Sequence, residues 1–331
     1  QRGVSFTTNG VYGADRFKTA FGAGGFNTQQ VADAPVGFKN SIKVTQTSYG
    51  SASYKMLEHY IEGSNIISLG YGAAGAKTAT LSFFVKGSVT GTYGVTIQNA
   101  ATGGGRVSYV SSYTINSANT WEFKTVTVTP PTTYTWYTDT QRGLGIIFSL
   151  GSTGYSTSTL NQWLVANKFD VTGAVDLSNN SGATLQITGV QYEVGPVATP
   201  FEHRSFGDEL SRCQRYCYVI PYGANSLNTK FIDNVYGDTK SSSEIQALVT
   251  LPAPMRATPS YTGSSTNVEL FAENGSDYFT ADGFSDYLTY GGENCQSMSL
   301  RKSSAGGITA GQSGKFLWRA TGGFMKFDAE L

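Results

Sequence analysis

Leu144-Gly145-Ile146-Ile147-Phe148-Ser149-Leu150 decides the fold. Leu144, Ile146, Phe148 and Leu150 recur at every second position. A strand turns successive side chains to opposite faces, so one face of this segment is apolar from end to end. The pattern repeats outward along the chain. Leu81, Phe83 and Val85 lie opposite Ser82 and Lys86, and Tyr93, Val95 and Ile97 interleave with Gly94, Thr96 and Gln98. Breaks rich in Gly, Asn and Ser, such as residues 100–105 and 178–182, separate these runs at the spacing of a sandwich or barrel.

Two segments change phase. Trp121 and Phe123 share one phase, and Val126 and Val128 take the other. Leu185 and Ile187 give way to Val190, Tyr192 and Val194, with Gly189 at the switch. A one-residue slip is what a β-bulge produces, so each segment is predicted to bend at one, as strands do in a curved jelly roll.

A single helix is predicted, over residues 205–216. Ser205 followed by Asp208 forms a capping box, and Glu209 suits the positive end of the helix dipole. Leu210, Cys213 and Cys217 fall on one face, which predicts thiols packed inward. Alternation resumes at Ile245, Ala247, Val249 and Leu251, and again at Met325, Phe327, Ala329 and Leu331. Pro252, Pro254 and Pro259 mark a strand end or edge, because proline donates nothing to a ladder. The expected architecture is all-β. A jelly-roll β-sandwich over 1–204 is followed by a helical linker at 205–220 and a second, smaller β-sandwich over 221–331.

Composition agrees. Charged residues make up 14% of the 331, against about 25% in ordinary domains, and Lys+Arg equals Asp+Glu at 23 each. Such a surface does not attract nucleic acid. No apolar run approaches the ~20 residues of a membrane helix, so no membrane insertion is expected. Aromatics reach 13% and Gly numbers 40, a mixture that suits strands joined by tight turns. Gln1 in place of Met suggests a piece of a longer chain, and three Cys, an odd and sparse set, suggest free thiols in a reducing compartment.

Catalytic signals are thin. His59 and His203 are the two histidines; the first reads as an outward strand residue and the second as structural. Cys213 and Cys217 lack further metal ligands nearby. Gly103-Gly104-Gly105 lacks the Gly-Lys-Ser/Thr ending of a phosphate loop. No cofactor, metal or catalytic residue is therefore expected. The carboxylate pair of a glycosidase is a matter of spacing in space, which sequence does not display, and no internal repeat suggests a β-helix depolymerase. Among the tryptophans, Trp121 and Trp318 read as core. Trp136, flanked by Tyr134 and Tyr137 in a Thr-rich loop opened by Pro130-Pro131, reads as an exposed platform for stacking on sugar rings.

One stretch is familiar. Gly189-Val190-Gln191-Tyr192-Glu193-Val194-Gly195 leads to Ala198-Thr199-Pro200-Phe201-Glu202-His203-Arg204-Ser205, and then to Glu209-Leu210 and Cys213-Gln214-Arg215-Tyr216. Together these resemble the junction found in structural proteins of tailed bacteriophages, notably tail fibres and other virion-surface proteins. Ile61-Glu62-Gly63, Gly70-Tyr71-Gly72, residues 77–83 and Asn119-Thr120-Trp121-Glu122 resemble the preceding domain of such proteins, which is similar to a carbohydrate-binding-module jelly roll. The end, Phe327-Asp328-Ala329-Glu330-Leu331, is like theirs too. Cys217 and Tyr192 depart mildly from the pattern, standing where an aromatic and a Leu are usual. The resemblance implies a virion protein assembled in the host cytoplasm, without catalytic activity. It implies a homotrimer among other virion proteins, with a host surface glycan as a partner. A carbohydrate-binding module of a polysaccharide-degrading enzyme and a capsid head decoration or fibre are the alternative readings.

Overall fold

Alternation becomes strand along nearly the whole chain. A computed structural model describes residues 5–99, 105–221, 230–241, 244–263, 268–272, 278–281, 286–288, 295–303, 310–318 and 324–331. The chain divides into two units: residues 1–203 with Leu331, and residues 204–330. Among the described residues no sheet draws strands from both.

The first unit opens with β1 (Ser5–Phe6), β2 (Lys18–Phe21), β3 (Gly25–Val31), β4 (Ser41–Ser48) and β5 (Lys55–Glu62). It continues through β6 (Ala79–Gly87), β7 (Gly91–Asn99), β8 (Ser108–Ile115), β9 (Glu122–Val128) and β10 (Arg142–Gly151). The short β11 (Ser156–Thr157), β12 (Trp163–Leu164) and β13 (Asp170–Val171) precede the long β14 (Thr184–Val194). Two six-stranded sheets result, in the orders β1-β3-β4-β14-β6-β9 and β12-β8-β7-β10-β5-β2. Strands far apart in sequence are neighbours in both, and the pairing within them is antiparallel, as in a jelly roll.

Leu144, Ile146, Phe148 and Leu150 are buried between these sheets, as are Leu81, Phe83, Val85, Tyr93, Val95 and Ile97. Phe83, from one sheet, stands edge-on to Tyr113 and Phe148 of the other, with centroids 5.1 and 5.0 Å away. Each such ring contributes roughly 1.5–3 kcal/mol by leaving water. Lys55, fully buried, sends its Nζ 2.7 Å from Asp176 Oδ2, which keeps the ammonium paired.

The predicted bulge at Gly189 is present. The β14–β6 register shifts between Thr188 and Gln191, and Gly189 sits at φ 59°. A Cβ there would lie 2.6 Å from the Phe38 ring, so glycine is required twice over. No bulge exists in the other segment: β9 pairs with β6 in unbroken register from Val128 to Glu122. Phe123 belongs to the outward face of β9 and is 49% exposed, which is why its phase disagrees with Val126. Trp121 is also not core. Its half-buried indole lies beneath Lys86 Nζ at 5.1 Å and donates Nε1–H to Asp33.

The second unit begins with α1 (Phe206–Gln214), whose N-cap Ser205 accepts from the Asp208 backbone N–H as the capping box requires. Then come β15 (Cys217–Pro221), β16 (Lys230–Ser241), β17 (Glu244–Met255), β18 (Ser260–Gly263) and β19 (Val268–Ala272). The last are β20 (Tyr278–Ala281), β21 (Asp286–Leu288), β22 (Cys295–Ser303), β23 (Ser313–Trp318) and β24 (Phe324–Asp328). They form a three-stranded sheet, β15-β24-β18, and a seven-stranded one, β20-β19-β23-β16-β17-β22-β21. Ile245, Ala247, Val249 and Leu251 bury their shared face with Met325, Phe327 and Ala329. Pro252 and Pro254 fall where the β17–β22 register jumps from Thr250 to Met255, a stretch that needs no ladder donors. The predicted inner face of the helix is absent. No residue of α1 is buried, Phe206 is 83% exposed, Cys213 is half-buried, and Cys217 instead opens β15. The side chain of Trp318, expected in the core, lies outside the described residues, as do Gly103 and Gly104.

Candidate functional site

Strand β5 carries Met56, Glu58 and Tyr60 on the face turned away from the sandwich interior, in register with Ile147 and Gly145 of β10. Gln98 of β7 continues this surface. Residues 152–169 supply the remaining wall. The outcome is a groove of about 160 Å³ lined by Tyr54, Met56, Glu58, Tyr60, Gln98, Arg106, Ile147, Tyr155, Asn167 and Phe169.

Local bonding holds its aromatics. Ser152 Oγ donates to the Ser53 carbonyl at 2.6 Å, and Thr153 Oγ1 to that of Ala52 at 3.1 Å. The Tyr155 N–H then donates to Ser152 Oγ at 2.9 Å. These bonds tie the segment bearing Tyr155 to the turn bearing Tyr54, whose rings meet edge-on at 6.5 Å. Tyr155 also stacks on buried Phe169, 4.9 Å between centroids. Both tyrosines are half-buried, so each keeps exposed ring area for a ligand. A wall fixed in advance loses less entropy on binding.

The floor is polar and satisfied. Glu58, buried, is paired with Lys18 Nζ at 2.8 Å, and Tyr60 donates its hydroxyl to the same carboxylate. Burial, then the neighbouring Glu58 charge, pushes the Tyr60 phenol well above its ordinary value, so it remains a donor. Gly145 leaves room for the Tyr60 ring, and the Arg142 guanidinium covers that ring at 3.9 Å. Tyr60 is therefore structural, while Tyr54 and Tyr155 are the free faces. Gln98 Nε2 donates to Ser108 Oγ and Asn167 Oδ1, each at 2.9 Å. Aromatic faces beside fixed amides and a guanidinium suit a ligand with one apolar face and a polar rim.

The sequence-predicted platform is not where it was expected. Trp136 is only 9% exposed, edge-packed on Tyr71 at 4.9 Å and on Trp163 at 5.3 Å. Its loop is clamped from behind: the Gly72 N–H donates to the Pro131 carbonyl, and Asn99 Nδ2 to that of Thr135. Cβ atoms at Gly63 and Gly72 would collide with the Tyr137 and Tyr134 carbonyls, which explains small residues there. Tyr134 is exposed but strained at φ 76°, and Tyr137 is half-buried. Tyr134, Trp136 and Tyr137 do not form a platform of three exposed aromatics.

His59, read as outward, has a buried Nδ1 and packs on Phe17 at 4.9 Å. Desolvation of the ring, then the Arg16 charge, lowers its pKa to about 3, so this half-buried imidazole is neutral. His203 lies against Phe201 and Phe38. A second depression, lined by Ser82, Phe84, Phe123, Gly189, Thr199, Pro200 and Phe201, is about 200 Å³. It is almost wholly apolar, and its two side-chain hydroxyls belong to buried Ser82 and to Thr199, which already donates to Glu193. Among the described residues no three of His, Cys, Asp and Glu gather closely enough to hold a metal ion.

No protein-family model and no curated protein matches the chain. Solved structures share a distant likeness. The enzymatically active domain of tailspike protein 4 from bacteriophage CBA120 is 14% identical over 56% of this chain, at a TM-score of 0.34. The match spans 21% of the length of that tailspike domain. A family 11 carbohydrate-binding module from Clostridium thermocellum, solved with a mixed-linked tetrasaccharide, is 15% identical over 59% of this chain and 98% of its own, at 0.32. The C-terminal family 22 carbohydrate-binding module of Xyn10B from the same organism is 10% identical over 60% and 98%, at 0.34. At these values the likeness assigns no ligand to this chain.

Proposed function

We propose that the chain is a non-enzymatic surface component of a tailed-bacteriophage virion, of tail-fibre type, whose first unit holds a host surface glycan in the groove between Tyr54 and Tyr155. The observation that carries the glycan part is the pairing of two accessible tyrosine rings with the polar groups of Gln98, Arg106 and Asn167. A pyranose has an apolar face for the rings and hydroxyls for the rim. The virion part is supported by the junction motif over residues 189–216 and by the weakly charged surface.

The groove is small, about 160 Å³ against roughly 300–1,000 Å³ for drug-sized sites. It takes one ring or little more, which places the affinity of a single site at about millimolar or weaker. Repetition over several copies then supplies useful attachment. Presented as a multivalent bead conjugate on a glycan array, the whole chain is expected to retain particular bacterial surface glycans and to release no sugar from them. Uniform failure to bind across the array refutes the glycan part, and reproducible release of reducing ends refutes the non-enzymatic part.

A further inference from the structure

Two charged side chains line the groove, and they differ in one respect. Glu58 is closed off by Lys18 and by the Tyr60 hydroxyl. Arg106 is half-buried and makes a single long hydrogen bond, Nη1 to Asn167 Oδ1 at 3.5 Å. No carboxylate among the described residues pairs with it. A guanidinium has five N–H donors in a rigid fork, so most of its capacity is unspent. Its surroundings are nonetheless ordered. The Val107 N–H donates to Asn99 Oδ1 at 2.8 Å, and Asn167 Oδ1 is also held by Gln98.

We propose that the groove prefers glycans bearing a carboxylate, of uronic-acid type, and that Arg106 receives that carboxylate. The proposal rests on the reading of the groove as a glycan site. A planar carboxylate matches the guanidinium fork through two parallel bonds, which a neutral sugar hydroxyl cannot do. Tyr54 and Tyr155 would hold the apolar ring face while the acid engages Arg106. Glu58 does not repel such a ligand, because Lys18 neutralises it.

The test uses the whole chain and three acidic polysaccharides, hyaluronate, alginate and polygalacturonate, each beside its carboxyl-reduced neutral form. Titration calorimetry at low salt is expected to show at least one acid form binding about tenfold more tightly than its reduced counterpart, the strength of a charge-assisted bond. Added salt should shrink that ratio. Arg106→Gln, with its melting temperature checked against the parent, should bring the two forms to equal affinity. Arg106→Lys should retain part of the difference. Equal binding of acid and reduced forms, unchanged in Arg106→Gln, overturns the acid preference and leaves the glycan groove standing. Failure of every form to bind overturns the acid preference, and the glycan array then decides whether the groove reading stands.

Discussion

Asp170 lies beside Phe169 at the base of the groove wall and is 2% exposed. Burial pushes its pKa up from 3.8 to about 6, against the opposing hydrogen bond from the Val171 N–H. A carboxyl with a raised folded-state pKa binds its proton more tightly folded than unfolded. Its stabilising contribution is complete below pH 3.8 and is lost as pH rises through 6. Asp170→Asn keeps the shape without the titration. In denaturant melts, the stability of this variant relative to the parent should improve by about 2 kcal/mol between pH 4 and pH 7. A difference independent of pH would contradict the assignment. At this scale the sequence is a poor guide. Tyr155 sits in a Gly-, Ser- and Thr-rich run without periodicity, and Tyr54 lies about a hundred positions earlier. The β5–β10 pairing and the bonds from Ser152, Thr153 and Gly154 bring them together. The inward turn of His59 onto Phe17 was equally hidden, since alternation alone does not say which of a strand's two faces meets the core.

The 130–137 loop shows how an element can mislead. Aromatics between threonines after two prolines look exposed, yet Gly63 and Gly72 lend the backbone space that draws the loop down. Trp136→Ala should therefore cost stability, about 3–5 kcal/mol, through the cavity left among Tyr71 and Trp163. Equilibrium unfolding checks this; a change below about 1 kcal/mol would mean the indole is not core. Legible signals at this scale were those with a unique mechanical cause. Gly189 at a phase switch and Ser205 with Asp208 read correctly, while Pro252 and Pro254, expected at a strand end or edge, lie within β17 at a break in its pairing. The phase change at Phe123 misled, because an exposed Phe on an outward face imitates a slip in register. The helix face misled for a related reason: its spacing was apolar, but no residue of α1 is buried.

For the whole molecule, period-two patterning made the all-β class and two-sandwich layout legible, since each apolar face needs an opposing sheet. Pairing order within the sheets was not, because β14 lies between β4 and β6 although far from both in sequence. We propose a homotrimer that takes other virion proteins as neighbours, supported by the low charge and by exposed Tyr236 and Leu248, cross-strand partners in the second unit. A closed threefold ring stops assembly at a defined size. Light scattering at micromolar concentration should give three times the chain mass of 35.3 kDa, and a monomer contradicts the proposal. The central claim, that glycan is held between Tyr54 and Tyr155, is tested most directly by comparing two double variants of the whole chain. Their affinities for the tightest-binding oligosaccharide are measured beside the parent. Tyr54→Ala with Tyr155→Ala is predicted to weaken binding by about fivefold per ring or more, the worth of one stacking contact, while Tyr134→Ala with Tyr137→Ala leaves it unchanged. The reverse pattern, with affinity kept in the first pair and lost in the second, would contradict the account.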